Sequence, residues 1–541
     1  MSFSFLDRKQ IIKKMSETEY DVVIIGGGIT GAGVARDAAS RGMRVALVEA
    51  SDFASGTSSR SSKLIHGGIR YLENMEFHLV FEALSERALL FKIAPHMVHP
   101  LRFLLPLYKG SRVGMNKMGL GMWLYDALSL FRAPKLHERL SAKKSVGRIP
   151  ILQPKNLMGS FVYSDAYMDD DRLVIETLRS AKRLGADQIS YVKAVGAKMT
   201  NEKVTALDCE DVLSGQKFTL KGKHFVSTVG PWTDILGESL LKTWKKLLRP
   251  SKGIHITLSK DRLPLPCAMV MATEGEKRIV FGIPRHEMII IGTTDTDFKD
   301  NPSTVHSTKA DVDYLLKVVE EYFPGAIRKE DILASYAGVR PLVHDGSETE
   351  SKTSREHVIL EDPRNITFVA GGKYTTYRKM AEQTVEKFLK NYSKADRKKF
   401  KTGNTKVALN PKVTAESFKE AQSKLDELTS KTHFSKNEIQ ILLDRHGSEA
   451  FDIVSQYYSP AQTSVWEMEA HFASNESMCG KLLDFYLRRV PLFLAEKDHG
   501  FKHLERLSQI FQQKLDWSEE ERQLNIADVR KHESFELSWK K

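Results

Sequence analysis

Residues 20–49 read YDVVIIGGGITGAGVARDAASRGMRVALVE, and the order of residue types in this stretch decides the fold. Residues 20–25 form an apolar run with the length and β-branched content of a buried strand. Gly26, Gly27 and Gly28 break it, residues 31–41 carry a helical pattern, Gly42 stops that helix, and residues 44–49 read as a second strand. Strand, glycine turn, helix and strand open a βαβ unit, and G-x-G-x-x-G at the turn is the spacing that receives the pyrophosphate of a dinucleotide. Gly26 permits the tight turn, Gly28 lets the backbone approach the pyrophosphate, and Gly31 allows close packing of helix on strand. The helix N-terminus stabilises the phosphates. Glu49 closes the second strand, where a carboxylate can bind the adenosine ribose hydroxyls. A lone glycine fingerprint is equally a plain turn; the ordered set around it points to dinucleotide binding.

The fingerprint does not separate FAD from NAD. The next segment bears on that choice. Thr57-Ser58-Ser59-Arg60-Ser61-Ser62-Lys63 is a hydroxyl-rich loop able to wrap a pyrophosphate, and it leads into Leu64-Ile65-His66-Gly67-Gly68. The pair Gly67 and Gly68 lets backbone lie against a flat ring. Taken alone, the loop is as readily a serine-rich surface turn.

A chain of 541 residues exceeds what one core usually supports, so two or three domains are expected. With 41% hydrophobic and 28% charged residues it is an ordinary folded protein. Lysine and arginine total 81 against 69 acidic residues, a formal charge of +12 that favours anionic partners: nucleic acid, anionic lipid or phosphorylated substrates. The cations are spread along the chain without aromatic interleaving, which argues against a nucleic-acid-binding protein. Cys209, Cys267 and Cys479 lie far apart with no zinc spacing, so no metal site is expected and the thiols read as buried in a reducing compartment. No apolar stretch approaches the roughly 20 residues that span a bilayer.

Further strand patterns fall at residues 221–229, 253–258, 278–283, 288–292 and 366–370, with helical patterns at 310–322 and 375–389. The mixture indicates an α/β nucleotide-binding domain interrupted by a second, partly antiparallel domain. Residues 391–401 are lysine-rich and break the pattern, which places a linker there. Beyond it, Ser435 with Glu438 and Ser518 with Glu521 have capping-box spacing, so residues 402–541 read as a helical domain.

Here the chain resembles a known family. IGGGITGAGVARDAASRG at 25–42 and GGKYTTYRKMA at 371–381 are similar to the two signatures of the FAD-dependent glycerol-3-phosphate dehydrogenases. SSKLIHGGIRYLE at 61–73, TVGPW at 228–232, IIGTTD at 290–295 and GVRPL at 338–342 follow the family's order between them. The resemblance covers residues 20–389 and continues more weakly through the tail. It implies FAD as cofactor and an α/β fold: a Rossmann-type FAD-binding domain, an inserted mixed α+β substrate domain and the helical C-terminal domain. We draw the FAD segments at about 20–95, 160–235 and 335–390, and the substrate segments at about 96–159 and 236–334.

The implied substrate, glycerol 3-phosphate, is a small dianion with a carbinol to oxidise. Arginine suits its phosphate because the planar fork binds it through two hydrogen bonds. The resemblance assigns Arg70, Arg340, Arg355 and Lys373 to the substrate pocket, and expects Arg340 to act in catalysis as well. A histidine suits the base. The resemblance favours His255 in SKGIHI, with His66 positioning flavin or substrate. Cofactor contacts are expected at Gly26, Gly28, Gly31, Glu49, Thr57, Ser58, Ser59, Ser62, Lys63, Gly67, Gly68, Gly230, Gly372, Lys373 and Thr375. Gly371-Gly372-Lys373 would open a helix whose N-terminus faces the flavin's pyrimidine edge, where negative charge develops.

The resemblance further implies a quinone acceptor and a cytoplasmic enzyme held peripherally on the inner face of the cell membrane, with a homo-oligomer open. Residues 102–131, where Arg102, Lys109, Arg112 and Lys117 accompany Phe103, Leu104, Met115, Met118, Leu120, Met122, Trp123 and Leu124, are the expected anionic-membrane surface. Pro106, Gly110, Gly114, Gly119 and Gly121 argue against one long helix there. Two other functions stay open: an oxidase using molecular oxygen, against which the lack of the family oxidases' extra insertion speaks, and, remotely, a basic nucleotide- or RNA-binding protein.

Overall fold

The computed structural model describes residues 3–72, 75–241, 243–273, 278–285, 287–344 and 357–541, without the side chain of Arg70. Arg355 lies outside the described residues.

Among these, a six-stranded sheet runs His357–Asp362, Ile366–Gly371, Phe225–Ser227, Val22–Ile25, Val45–Val48, Asp187–Ile189. It is parallel except at its His357–Asp362 edge. Both inner strands of the first βαβ unit are buried along their whole length, as continuous apolar runs in a covered parallel sheet require. The helix Ile29–Ser40 covers one face, against Asp170–Arg183 and Tyr377–Leu389.

Among the described residues the second sheet has ten strands. Its central members are Leu248–Ser259, Met288–Gly292, Ile279–Arg285 and Ala268–Ala272, and it continues through Val98–Tyr108 and Leu157–Met168. Ile332–Val343 pairs antiparallel with Leu248–Ser259 over nearly its full length. Strands Leu157–Met168 and Ile332–Val343 run straight through residues 160 and 335, where the sequence places domain borders. Their later halves belong to this sheet and not to the nucleotide-binding body, because ladder pairing carries each strand on as one unit.

Two strand expectations need correction. Glu19–Tyr20 and Lys217–Gly222 belong to a separate four-stranded sheet; the chain turns at Asp21 and at Lys223 before Val22–Ile25 and Phe225–Ser227 enter the parallel sheet. The helix expected from Gly31 begins at Ile29.

Residues 391–401 do not hang free. Tyr392 donates its hydroxyl to the Asp21 carbonyl, Lys401 N–H donates to Arg41 O over 2.9 Å, and Ser393 caps a short helix, Lys394–Arg397. Beyond them Arg36 donates to the carbonyls of Thr405 and Val407, both over 2.8 Å, so the chain stays on the nucleotide-binding body before the helices that begin at Ala415. Both capping boxes, Ser435/Glu438 and Ser518/Glu521, form.

Residues 102–131 divide into two elements. Arg102, Phe103 and Leu104 lie in the strand Val98–Tyr108, with Phe103 and Leu104 buried and Arg102 donating to Glu138 over 2.7 Å. Only Met115–Leu128 is helical. Met122 faces the core; Leu120, Trp123 and Leu124 are exposed, as are Leu130 and Phe131 beyond the helix end. Among the described residues no helix is long and apolar enough to cross a membrane.

Candidate active site

The glycine turn has the geometry of a nucleotide cradle. Gly26 has φ +107, a left-handed conformation, and a Cβ there would stand 2.8 Å from the Thr228 carbonyl. A Cβ on Gly31 would stand 2.0 Å from Gly26 O, so only glycine lets this helix sit so close to its strand. A Cβ on Gly28 would meet Ser58 Oγ at 3.0 Å and otherwise, among the described residues outside its own helix and chain neighbours, open space within 4 Å, which leaves room for a phosphate. Ser58 Oγ accepts from Ile29 N–H over 3.0 Å at the helix N-terminus. Glu49 accepts from Gly27 N–H over 2.7 Å and from Ser51 N–H over 2.9 Å; each carboxylate oxygen keeps a second lone pair for a ribose hydroxyl. These residues fit an adenine dinucleotide.

The second sheet builds the other half. Register sets Tyr336, His255, Gly292 and Phe281 in one row across four strands, all on one face because directly paired residues share a face. Gly292 is small for a reason: a Cβ there would stand 2.1 Å from His255 Cδ2. The His255 ring therefore lies over Gly292, and it stacks on Tyr336 with centroids 4.8 Å apart. The next two rows, Gly253 with Gly338 and Ser251 with Arg340, lie on the same face. A Cβ on Gly253 would stand 2.2 Å from Arg340 Nη2, so the guanidinium rests where a side chain is missing.

Residues 57–63 cross this face and join the two halves. Thr57 Oγ1 donates to Val339 O over 2.6 Å, Arg60 Nη1 to Ala337 O over 2.9 Å, and Tyr336 hydroxyl to Ser61 O over 2.9 Å. The loop thereby sets Ser62 Oγ 2.9 Å from His255 Nε2. Burial, with the charges of Arg340 and Lys63, holds the His255 ring well below its usual pKa, so it is neutral at neutral pH.

Arg340 donates to Thr293 Oγ1 over 2.8 Å, Thr294 O over 3.1 Å and Asp295 Oδ1 over 3.1 Å. Gly371 and Gly372 have φ +73 and +88, and Lys373 Nζ lies 3.6 Å above the centre of the Tyr71 ring. The helix expected from Thr375 is a 3-10 turn, Tyr374–Thr376, followed by Tyr377–Leu389. Thr375 Oγ1 exchanges hydrogen bonds with the His66 backbone, at 3.2 and 3.3 Å. The His66 ring lies 6.5 Å from that of Phe281, on the face that carries His255. Gly67 N–H donates to the Tyr125 hydroxyl over 3.0 Å and Gly68 has φ +76. Gly230, φ +55, opens the turn into Thr233–Leu240 beyond the Phe225–Ser227 strand.

The Lys63 ammonium is buried against the Asp170 carboxylate and directed to Ser59 O, so this side chain anchors the loop. Asp170 also accepts from Ser61 Oγ over 2.7 Å. Asp170, Tyr336, Asp295, Gly253 and Gly292 were not among the expected site residues. The two glycines had a signal, since a glycine inside a strand marks a close approach.

Comparison with known proteins agrees with this architecture. Residues 21–378 match the model described as FAD dependent oxidoreductase, and residues 412–522 match the C-terminal domain of alpha-glycerophosphate oxidase. The aerobic glycerol-3-phosphate dehydrogenase of Staphylococcus saprophyticus is 34% identical over 98% of this chain and 97% of its own length. The chain belongs to the aerobic glycerol-3-phosphate dehydrogenase family. Its Staphylococcus aureus relative is 34% identical over 90% of both chains. The crystal structure of the glycerol-3-phosphate dehydrogenase from Bacillus halodurans, complexed with FAD, superposes with TM-score 0.78 at 28% identity over 99% of both chains. Like its family, this dehydrogenase is an FAD-dependent oxidoreductase, with FAD as its cofactor.

Proposed function

We propose that the protein oxidises sn-glycerol 3-phosphate to glycerone phosphate and passes the electrons to a membrane quinone. The observation that carries this reading is a neutral, buried His255 beside Arg340 on one face of the second sheet, joined through Ser62 to the nucleotide cradle.

Glu49, Ser58 and the Gly26–Gly28 turn hold the adenosine and pyrophosphate portion. When bound, FAD supplies the hydride acceptor. Arg340, with Lys373 and by family resemblance Arg70 and Arg355, receives the substrate phosphate. His255 Nε2 takes the proton of the C2 hydroxyl, at the position where Ser62 Oγ now meets it. In the resting protein the Arg340 charge opposes protonation of that ring. A dianionic phosphate on Arg340 offsets the opposition, so His255 becomes a better base once substrate is bound. His66 orients the substrate from the Phe281 side.

The membrane part of the proposal rests on the helix Met115–Leu128 and its flanks. Leu120 is 73% exposed and Trp123 58% exposed; Lys117 in the same helix and Lys109 and Arg112 in the segment just before it are exposed as well. Apolar and aromatic side chains flanked by cations suit an anionic bilayer surface on the cytoplasmic side. An oxidase using oxygen remains the second reading, favoured by the family of the 412–522 match. Steady-state turnover with a soluble quinone analogue and glycerol 3-phosphate, against glycerol, tests the proposal. Turnover that requires the phosphate and the quinone supports it; equal use of glycerol, or oxygen replacing quinone at full rate, refutes it.

A further inference from the structure

The helical domain reaches back to the nucleotide cradle through one buried cluster of charges. Asp52 lies in the loop after Val45–Val48 and is buried. Arg488 Nε donates to its Oδ2 over 2.6 Å. Arg489 donates to both oxygens, from Nη1 over 2.9 Å and from Nη2 over 2.8 Å. These arginines end the helix Leu482–Arg488. Arg488 also donates to Asp484 over 2.7 Å, and Asp484 accepts from the Tyr191 hydroxyl over 2.7 Å, so two guanidinium groups and two carboxylates form one connected set.

The loop that carries Asp52 wraps the glycine turn. Ala54 N–H donates to Gly27 O over 3.1 Å, and Tyr191 N–H donates to Ser51 O over 2.9 Å. The Phe53 ring stands 2.4 Å from where a Cβ on Gly27 would be. Ser51 N–H holds Glu49. The position of Asp52 therefore fixes both Glu49 and Gly27. Burial pushes the Asp52 carboxyl up, but the two guanidinium groups outweigh it and hold the group below the usual carboxylate range. A buried charge has few alternatives to its partners, so loop and helix keep one geometry.

We infer that Asp52, Arg488 and Arg489 are positioning residues for FAD, through which the helical domain holds Glu49 and the glycine turn at the spacing the adenosine half requires. The inference rests on the seat proposed above for that half. Linkage makes it reciprocal: a clamp that raises FAD affinity is tightened by FAD to the same degree.

The test is FAD titration of apo-protein, followed by flavin fluorescence, for wild type, Arg489→Lys, Asp52→Asn, Glu49→Ala and the control Arg179→Lys. Arg179 is equally buried and bridges to Glu449 of the helical domain over 2.8 Å, with Glu176 and Glu476 as its other ion partners in place of Asp52. The dissociation constant should rise about tenfold or more in both clamp variants and in Glu49→Ala, and less than about threefold in the control, given the usual worth of a charge-assisted hydrogen bond. Wild-type protein gives an independent reading that needs no substitution to fold: FAD should slow amide exchange in Leu482–Arg488 but not in Ala415–Ser423. Unchanged affinity in Arg489→Lys with lost affinity in Glu49→Ala keeps the seat and overturns the clamp. Undiminished affinity in Glu49→Ala overturns the seat itself, and exchange in Leu482–Arg488 indifferent to FAD overturns the clamp whatever the variants do.

Discussion

Ser62 Oγ and His255 Nε2 meet at 2.9 Å although 193 residues separate them in sequence, which ties the loop beside the nucleotide cradle to the proposed base. His255→Ala should slow flavin reduction by about 10²–10⁴-fold, the usual contribution of a general base, while FAD stays bound. Ser62→Ala should cost much less, because it removes a partner of the base and not the base. Rapid mixing with substrate measures both. A slower Ser62→Ala than His255→Ala would reverse the roles.

Arg340→Lys should lower kcat/KM for glycerol 3-phosphate by about 10- to 100-fold, the worth of one or two charge-assisted hydrogen bonds, since a point charge cannot reproduce the paired guanidinium donors. FAD content should not change. Steady-state kinetics at saturating quinone analogue decide it, and wild-type values would remove Arg340 from the pocket.

Stability should fall with acid well before most carboxylates titrate. Burial lowers the His224 pKa to about 4, despite its bond to Asn365. The unfolded histidine titrates near 6.5, so as pH falls from about 6.5 to about 4 the unfolded chain takes up a proton that the native protein refuses. The stability is complete above that window and is lost through it, at up to about 1.4 kcal/mol per pH unit. Raised carboxyls such as Asp484, pushed by burial to about 6, act with the opposite sign. The difference between wild type and His224→Gln isolates the histidine: urea unfolding should show a shallower pH slope in the variant. Identical slopes would mean that His224 is protonated in the native state.

The nucleotide cradle was legible because its reasons are local. Strand, turn and helix follow within residues 22–48, and each glycine's task depends on neighbours close in sequence or on one crossing strand. The proposal of His255 as base came only through resemblance, since its surroundings are set by Gly292, Tyr336 and Ser62, each from a different segment. The pairing of Lys63 with Asp170 was invisible for the same reason: the two lie 107 residues apart, and only the fold brings the buried carboxylate to the loop. Residues 102–131 misled in their first part because cations beside apolar residues look alike in an edge of a sheet and on a membrane face; the pairing with residues 157–168 decides between them.

Lys109→Glu, Arg112→Glu and Lys117→Glu together should abolish flotation with anionic liposomes at low salt, without loss of turnover toward a soluble quinone analogue. Each cation near an anionic surface contributes about 1 kcal/mol, so reversing three charges should remove most of the electrostatic attraction. Undiminished flotation would show that this surface is not the anchor.

We propose that His255 and Arg340, beside FAD, carry the oxidation of glycerol 3-phosphate by this chain. The most direct test is anaerobic single-turnover mixing of the purified flavoprotein with sn-glycerol 3-phosphate, followed through the visible flavin absorbance. The wild type should bleach completely and regain its absorbance on adding a quinone analogue, and His255→Ala, with its FAD still bound, should bleach more slowly. Flavin that stays oxidised in the wild type, or bleaching at an unchanged rate in His255→Ala, would contradict it.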